Sequence, residues 1–344
     1  MNEMIPHNRL TLGLEEEEAA IRVLRSGWVA QGIEVDSFEN EFCEFLGLPR
    51  GHAVAVSSGT SALFLALWAL RVKDKRVAFP VYACSSLRHA LAMAGGIERL
   101  IDVRTGTPNI DLEQLIHTGA KVAIIPHMFG LPVDIDVTKG SGIEIVEDCA
   151  QALGASIGGV KAGLHGTVGV FSFYATKLMT TGGQGGMVVS RDKALADTVR
   201  DYREFDCKRD RNVRFNFKLT DLQAAIGREQ LCKLPGFLKK RAEIFDRYRQ
   251  SGLNMLDTGS GDDTHLSSVR YRAVLVTEDP YHVLASLASM GVAAIVPVED
   301  WELLGEPAQF PSALRLSKET VSLPIYPTLT DNDVDTIIKG VPKS

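Results

Sequence analysis

The stretch Gly169-Val-Phe-Ser-Phe-Tyr-Ala-Thr-Lys-Leu-Met-Thr-Thr-Gly-Gly-Gln-Gly-Gly186 combines three features of a ligand site in an α/β protein. An apolar run typical of a strand comes first, Lys177 follows, and a loop of small residues ends the segment. Small residues let the backbone approach a bound group closely. Because burial of a lysine amine costs several kcal/mol unless the amine has a partner, Lys177 is the first candidate catalytic residue.

A carboxylate ends a second apolar segment upstream. Residues 143–148 are Ile-Glu-Ile-Val-Glu-Asp, which predicts a strand that ends on Asp148. A carboxylate at the carboxyl end of a parallel strand points into the crevice where α/β proteins bind ligands. The alternative is that Asp148 caps the following turn, a common role for aspartate. For Lys177 the alternative is a surface lysine beside a glycine loop.

An anion site is predicted where Val56-Ser-Ser-Gly-Thr-Ser-Ala62 leaves a strand and begins a helix. Free backbone N–H groups and the helix dipole converge at such a point and favour an anion. The alternative is an ordinary helix N-cap made by Ser58 or Thr60. Ser172, at the end of another predicted strand, offers a second hydroxyl to the same anion.

Together the three segments predict a pyridoxal phosphate site. Lys177 would form the internal Schiff base and later move a proton between the substrate carbon and the cofactor carbon. Asp148 would hold the pyridine nitrogen protonated and make the ring an electron sink. Gln151, three residues further on, would bond the phenolic oxygen of the ring.

Short β-type runs alternate with helical patterns up to about residue 205, which predicts a mainly parallel α/β sheet with covered faces. We expect a large domain over residues 1–245 and a smaller C-terminal α+β domain over 246–344. Beyond residue 220 the predicted elements are two long helices on either side of Pro235-Gly236, a turn-rich break at 258–264, then a strand, a helix, a strand and a last helix. These last four elements are placed at Arg270–Val276, Pro280–Met290, Ala293–Val298 and Asp331–Ile338.

The global properties exclude several classes of partner. The net charge is −6 and the pI is about 5.8, so the composition favours neither nucleic acid nor an anionic membrane surface. The five cysteines are far apart and have no nearby histidine set, which predicts reduced thiols, a cytoplasmic protein and no metal site. The polar start is unlike a signal peptide, and no apolar run reaches membrane-spanning length.

Several motifs also resemble the DegT-type sugar aminotransferases. The resemblance covers most of the chain in order, and its motifs are Ser26-Gly-Trp-Val-Ala-Gln-Gly32, Ser57-Ser-Gly-Thr60, Val146-Glu-Asp-Cys-Ala-Gln151, Phe171-Ser-Phe-Tyr-Ala-Thr-Lys177 with its glycine tail, Leu222-Gln-Ala-Ala-Ile-Gly227 and Leu323-Pro-Ile-Tyr-Pro327.

This resemblance implies the PLP-dependent transferase fold type I, also called the aspartate aminotransferase fold, and a homodimer with a shared active site. It implies that Lys177 forms the internal aldimine, with Asp148 on the pyridinium nitrogen and Gln151 on the phenolic oxygen. An asparagine of the partner subunit reaches the phosphate in this family, and Asn216 matches it. The other phosphate ligands would be Ser58, Gly59, Thr60 and Ser172.

Three departures from the family pattern affect the substrate more than the cofactor. Cys84 aligns with an aromatic residue that stacks on the cofactor ring in many members, which implies either weaker stacking or a contribution from Tyr82. Gln184 stands where the glycine loop usually has an acidic residue. Residues 296–301 replace the usual histidine- and proline-rich substrate segment.

The predicted function is the transfer of an amino group from glutamate or glutamine to a keto sugar, which we expect to be joined to a nucleotide. One alternative is a sugar dehydratase or lyase of the same fold, but the dehydratases of the family have histidine at the position of Lys177. The other is a non-catalytic sensor or scaffold, which would be expected to have lost Lys177 or Asp148.

Further side chains have two interpretations each. Seven basic residues between Arg200 and Lys218 would bind a diphosphate or a carboxylate, or else belong to a solvated face with their acidic neighbours. Trp28 and Trp301 would stack on a sugar or base, or pack. His127 would face the pocket or be structural. Glu147 should point away from Asp148, because side chains alternate along a strand.

Overall fold

The computed structural model describes residues 4–257 and 265–342. Its strands are β1 (Ala53–Val56), β2 (Arg76–Pro80), β3 (Ile97–Ile101), β4 (Val122–Pro126), β5 (Glu144–Asp148), β6 (Ser156–Ile157), β7 (Val160–Lys161), β8 (Val168–Ser172), β9 (Gly186–Val189), β10 (Leu266–Ser267), β11 (Ala273–Val276) and β12 (Thr320–Leu323). Its α-helices are α1 (Leu14–Ser26), α2 (Ile33–Leu46), α3 (Gly59–Ala69), α4 (Ser86–Ala94), α5 (Leu112–Ile116), α6 (Lys193–Arg203), α7 (Asp221–Gln250), α8 (Pro280–Ser289), α9 (Pro311–Lys318) and α10 (Asp331–Gly340).

A seven-stranded sheet in the order β1-β9-β8-β5-β4-β2-β3 organises the fold. β3, β2, β4, β5 and β8 are parallel neighbours, and β9 runs antiparallel to both β8 and β1. Six strands therefore point the same way, which confirms the predicted mainly parallel α/β sheet. Their carboxyl ends share one edge, and that edge is where loops can build a site.

Helix α3 leaves β1 directly and is buried along most of its length, including Ala62 to Leu67. It packs against β8, β9, α4 and α6. A helix that is apolar on all sides needs such an interior position. Its first turn is consequently held firmly at the carboxyl edge of the sheet.

The prediction of two helices separated at Pro235-Gly236 is wrong, because α7 runs unbroken through Pro235. Buried Leu231, Leu234, Phe237 and Arg241 continue one face across the proline at three- and four-residue spacing. Proline removes one backbone donor from a helix and disfavours it locally. Packing of α7 against α1 and α2 offsets that loss.

The C-terminal part has its own hydrophobic cluster, which begins at Ile244 and includes β11, β12, α8 and α10. The predicted strand at 293–298 is wrong, since only isolated bridges form at Val292 and Ile295. Pro297 lacks the N–H that would extend a ladder there, and β12 pairs with β11 instead. The expected boundary at 245/246 falls inside α7, and the domain division stays a prediction.

The turn-rich stretch at 258–264 lies outside the described residues. Across the described ranges, none of the helices combines the length and hydropathy that a bilayer crossing requires.

Buried Asp102 joins the sheet to α9. Its carboxylate accepts hydrogen bonds from the backbone N–H groups of Val103 at 2.8 Å, Ala313 at 2.9 Å and Ser312 at 3.0 Å. Because Asp102→Ala leaves these donors unpaired, we expect it to lower the free energy of unfolding by about 1–3 kcal/mol. Urea titration measures this, and Asp102→Asn, which keeps one acceptor oxygen, should lose less. An unchanged urea midpoint for Asp102→Ala would show that these three hydrogen bonds do not stabilise the fold.

Candidate active site

A cavity at the carboxyl edge of the sheet brings together eight of the nine predicted site residues, although their roles stay predictions. These eight are Ser58, Gly59, Thr60, Cys84, Asp148, Gln151, Ser172 and Lys177. They come from the start of α3, from the ends of β5 and β8, and from the loops that follow β2, β5 and β8. The parallel sheet thus places segments distant in sequence around one space.

At the start of α3, Ser58 is the N-cap, and its Oγ accepts the N–H of Ser61 at 3.0 Å. The capping interpretation therefore holds for Ser58. The backbone N–H groups of Gly59 and Thr60 have no acceptor within the helix, as in any first turn. These donors, with the hydroxyls of Thr60 and Ser172 on the same cavity, suit a phosphate.

Glycine is required at position 59 by close contact. A Cβ placed there would lie 2.7 Å from the Cβ of Ser172, closer than side-chain carbons approach. The first turn of α3 can therefore sit directly against the end of β8. This contact brings the free N–H groups and the Ser172 hydroxyl to the same place.

Asp148, the last residue of β5, is 8% exposed and accepts a hydrogen bond from the Ala150 N–H at 2.9 Å. In the described ranges no other donor reaches its carboxylate. Burial raises the pKa of Asp148, and the Ala150 bond and the charge of Lys177 offset only part of this effect. A protonated pyridine nitrogen would supply the missing positive donor, so the residue fits pyridoxal phosphate.

Gln151 has its amide orientation fixed by the backbone. Its Oε1 accepts the N–H of Phe129 at 2.8 Å. Phe129 adopts the left-handed conformation, with φ of 59°, in the tight turn after β4. Because the amide oxygen is occupied, the Nε2 group is the donor left for a ligand. A phenolic oxygen is a suitable acceptor for it.

Lys177 lies in the loop between β8 and β9 and lines the cavity. Its Nζ is 5.2 Å from the centroid of the Tyr271 ring, and within the described chain it makes no ion pair. Tyr271 was not predicted from the sequence. No local pattern could have indicated it, since the contact joins segments far apart in the chain.

The position of the expected ring-stacking aromatic is occupied by Cys84, which is exposed at the cavity. Tyr82 is fully buried and packs edge-to-face on Phe129, with centroids 6.1 Å apart. It is not among the residues that line the cavity. Tyr82 therefore has no exposed ring face in this structure, and the stacking partner of the cofactor ring stays a prediction.

Glu147 points away from Asp148, as the strand alternation predicted, and is fully buried. Its carboxylate accepts hydrogen bonds from His127 Nε2 at 3.0 Å and from three backbone N–H groups, those of Gly163, His165 and Gly166. These bonds hold the pKa of Glu147 below its usual value in spite of burial. His127 Nδ1 accepts the Val133 N–H, so His127 is held at both nitrogens while its ring lines the cavity.

Asn216 is exposed and does not line this cavity. Its neighbours Phe215 and Phe217 stack on each other and pack into the core, and the Ser57 N–H donates to the Phe217 carbonyl at 2.8 Å. Asn216 therefore projects outward at the end of β1. Its role in a partner's site stays a prediction.

The basic cluster is largely neutralised within the chain. Ion pairs with acidic residues engage five of its members, namely Arg200, Arg203, Lys208, Arg214 and Lys218. Arg209 and Arg211 are exposed and form no ion pair with any described residue. Trp28 and Trp301 are 61% and 78% exposed, so neither packs in the core of this chain.

The model of the DegT/DnrJ/EryC1/StrS aminotransferase family matches residues 11–342. The chain is 31% identical to the spore coat polysaccharide biosynthesis protein SpsC of Bacillus subtilis, over 99% of this chain and 97% of SpsC. It is 29% identical to the GDP-perosamine synthase of Vibrio cholerae, over 97% of both chains. Among solved structures it resembles DesV of S. venezuelae, in complex with a ketimine intermediate, with a TM-score of 0.90, 27% identity and 98% coverage of both chains.

Proposed function

Because this chain belongs to the DegT/DnrJ/EryC1/StrS aminotransferase family, we propose that it moves an amino group from glutamate or glutamine to a nucleotide-linked keto sugar, using pyridoxal phosphate. The fold is that of the PLP-dependent sugar aminotransferases. One observation carries the proposal for the cofactor: the buried Asp148 carboxylate faces the cavity with a single backbone donor.

Pyridoxal phosphate, when bound, supplies an electron sink that stabilises negative charge on the substrate carbon. Asp148 would hold the ring nitrogen, and the Gln151 amide would donate to the phenolic oxygen. Phosphate would bind the N–H groups of Gly59 and Thr60 and the Ser172 hydroxyl. Lys177 would hold the cofactor covalently and, once released by an amine, carry a proton at its Nζ.

The residues at positions 148 and 177 favour an aminotransferase over a dehydratase or lyase and over a non-catalytic sensor or scaffold. A dehydratase of this family would carry histidine at position 177, and a non-catalytic scaffold would not need both Lys177 and Asp148. A homodimer with a shared site is part of the proposal. The outward direction of Asn216, away from the cavity of its own chain, supports it.

The nucleotide linkage is supported by Arg209 and Arg211. They are exposed in the segment that leads to Asn216, and no carboxylate of the described chain pairs with them. Guanidinium groups bind diphosphates with paired hydrogen bonds. The name of one relative, a GDP-perosamine synthase, points in the same direction.

The cofactor proposal is tested on the purified protein. We expect a yellow protein whose visible absorption band disappears with borohydride, with the cofactor then found on the peptide that contains Lys177. A colourless protein that takes up no added pyridoxal phosphate would overturn the proposed function.

The acceptor class is tested by half-reaction spectroscopy on the pyridoxamine phosphate form of the protein. Nucleotide-linked keto sugars should restore the aldehyde-form spectrum, whereas recovery with small keto acids alone would refute the sugar assignment. Replacement of both Arg209 and Arg211 by serine should weaken binding of the nucleotide-linked sugar by about 5- to 30-fold. Lys208→Ser is the matched control, because Lys208 already pairs with Asp201, and an equal loss in it would argue against a diphosphate contact.

A further inference from the structure

The amine of Lys177 rests on the face of a buried aromatic ring. Nζ lies 5.2 Å from the ring centroid of Tyr271, which is 8% exposed. A cation over an aromatic face is attracted by the ring quadrupole, and more strongly where water is excluded. Tyr271 belongs to the segment that leads into β11, so the C-terminal part of the chain supplies this ring.

Positive charge surrounds the same ring. The Arg272 guanidinium carbon is 5.6 Å from its centroid. Burial alone would raise the pKa of the Tyr271 phenol, but the charges of Lys177 and Arg272 lower it below its usual value. Among the described residues, several charged or titratable groups share a cavity with Lys177 or act on the same ring, namely Asp148, Cys84, His127, Tyr174, Tyr271, Arg272, Arg241 and Arg9.

Arg272 is anchored by neutral partners. Its Nη1 contacts Ser322 Oγ at 3.3 Å and His7 Nε2 at 3.4 Å. Burial and the neighbouring arginines lower the pKa of His7 to about 3, so His7 is neutral near pH 7. No carboxylate of the described residues forms an ion pair with Arg272. Its charge therefore lies beside the Tyr271 ring without a counter-ion from the described residues.

We propose that Tyr271 is a positioning residue for Lys177, holding its protonated amine on the ring face, while the anchored Arg272 opposes that charge. This inference rests on the proposed role of Lys177. In that role the Lys177 nitrogen must both hold and release a proton. The Tyr271 ring stabilises the protonated amine, and the Arg272 charge destabilises it.

The test uses the full-length chain freed of cofactor and measures the acetylation rate of Lys177 by mass spectrometry across pH. Only the neutral amine reacts. Tyr271→Leu removes the aromatic face and should speed labelling at neutral pH by about 2- to 30-fold. Tyr271→Phe keeps the face and should stay within about twofold of the unchanged protein. Arg272→Gln removes an opposing charge and should slow labelling by about twofold or more.

Arg272→Gln should slow the labelling of Lys177, whereas Tyr271→Leu should speed it. Loosened packing would instead speed labelling in both variants, so the contrast identifies an electrostatic effect. The proposal is overturned if Tyr271→Leu and Tyr271→Phe behave alike, or if Arg272→Gln speeds labelling. If Tyr271→Leu does not fold, Tyr271→Met takes its place with the same expected result, because it also removes the aromatic face. Because the assay needs no cofactor, its failure is distinct from failure of the proposed function, which would appear as absent cofactor uptake.

Discussion

Replacement of Lys177 by methionine is expected to lower kcat by about 10⁴-fold or more. Methionine fills a similar volume but can neither hold the cofactor covalently nor carry a proton. The cavity contains no second lysine among the described residues, so no other amine takes its place. Steady-state transamination measures the loss, and borohydride should no longer fix cofactor to the protein.

Lys161→Met is the matched control for this substitution. Lys161 also places its Nζ over an aromatic ring, that of Phe45 at 5.5 Å, but it lies outside the cavity. It should keep nearly full activity and normal borohydride trapping. Substantial turnover by Lys177→Met, in a protein that still binds cofactor, would exclude Lys177 as the catalytic amine.

The second large effect is expected from Asp148→Asn, which should change activity and stability in opposite directions. Because we propose that Asp148 holds the ring nitrogen of the cofactor, loss of its charge should lower kcat by about 10²- to 10³-fold. The cofactor-free protein should become more stable at neutral pH, since the pKa of Asp148 is raised by burial. A raised carboxyl pKa means that stability is lost as pH rises, so the gain should shrink towards acid pH.

Thermal melts of the cofactor-free protein between pH 4 and 8 measure this dependence, and Glu147→Gln is the paired control. The pKa of Glu147 is lowered, so its carboxylate stabilises the fold at neutral pH and this contribution is lost as pH falls. Glu147→Gln should therefore lower the melting temperature near pH 7. If both variants shift stability in the same direction, the contrast between the two neighbouring carboxylates is wrong.

Much of the candidate site could be predicted because its residues stand at strand ends. Asp148 ends β5, Ser172 ends β8, and Ser58 follows β1. Parallel strands bring their carboxyl ends to one edge of a sheet. The alternation of predicted strands and helices was therefore sufficient to predict that these residues lie close together. Cys84 was predicted to lie at the site only because it aligns with an aromatic position of the family, and its thiol gave no independent indication.

The rest depended on contacts between distant segments. The ring of Tyr271 reaches Lys177 only after β11 is in place, and the Phe129 N–H that orients Gln151 depends on a left-handed residue that is not glycine. Proline suggested a break at 235, but burial on both sides of it outweighed the local preference. In each of these three cases the structure depends on packing between distant segments, which the local sequence does not predict.

The unbroken α7 also limits how this protein can be divided. Its 30 residues span about 45 Å, and its last turns, with Ile244, Phe245 and Tyr248, belong to the C-terminal hydrophobic cluster. A clone that starts at residue 246 would lose Ile244 and Phe245 from that cluster and would begin within a helix. Separate expression of the C-terminal part should therefore start near Asp221, so that the fragment carries its helix whole.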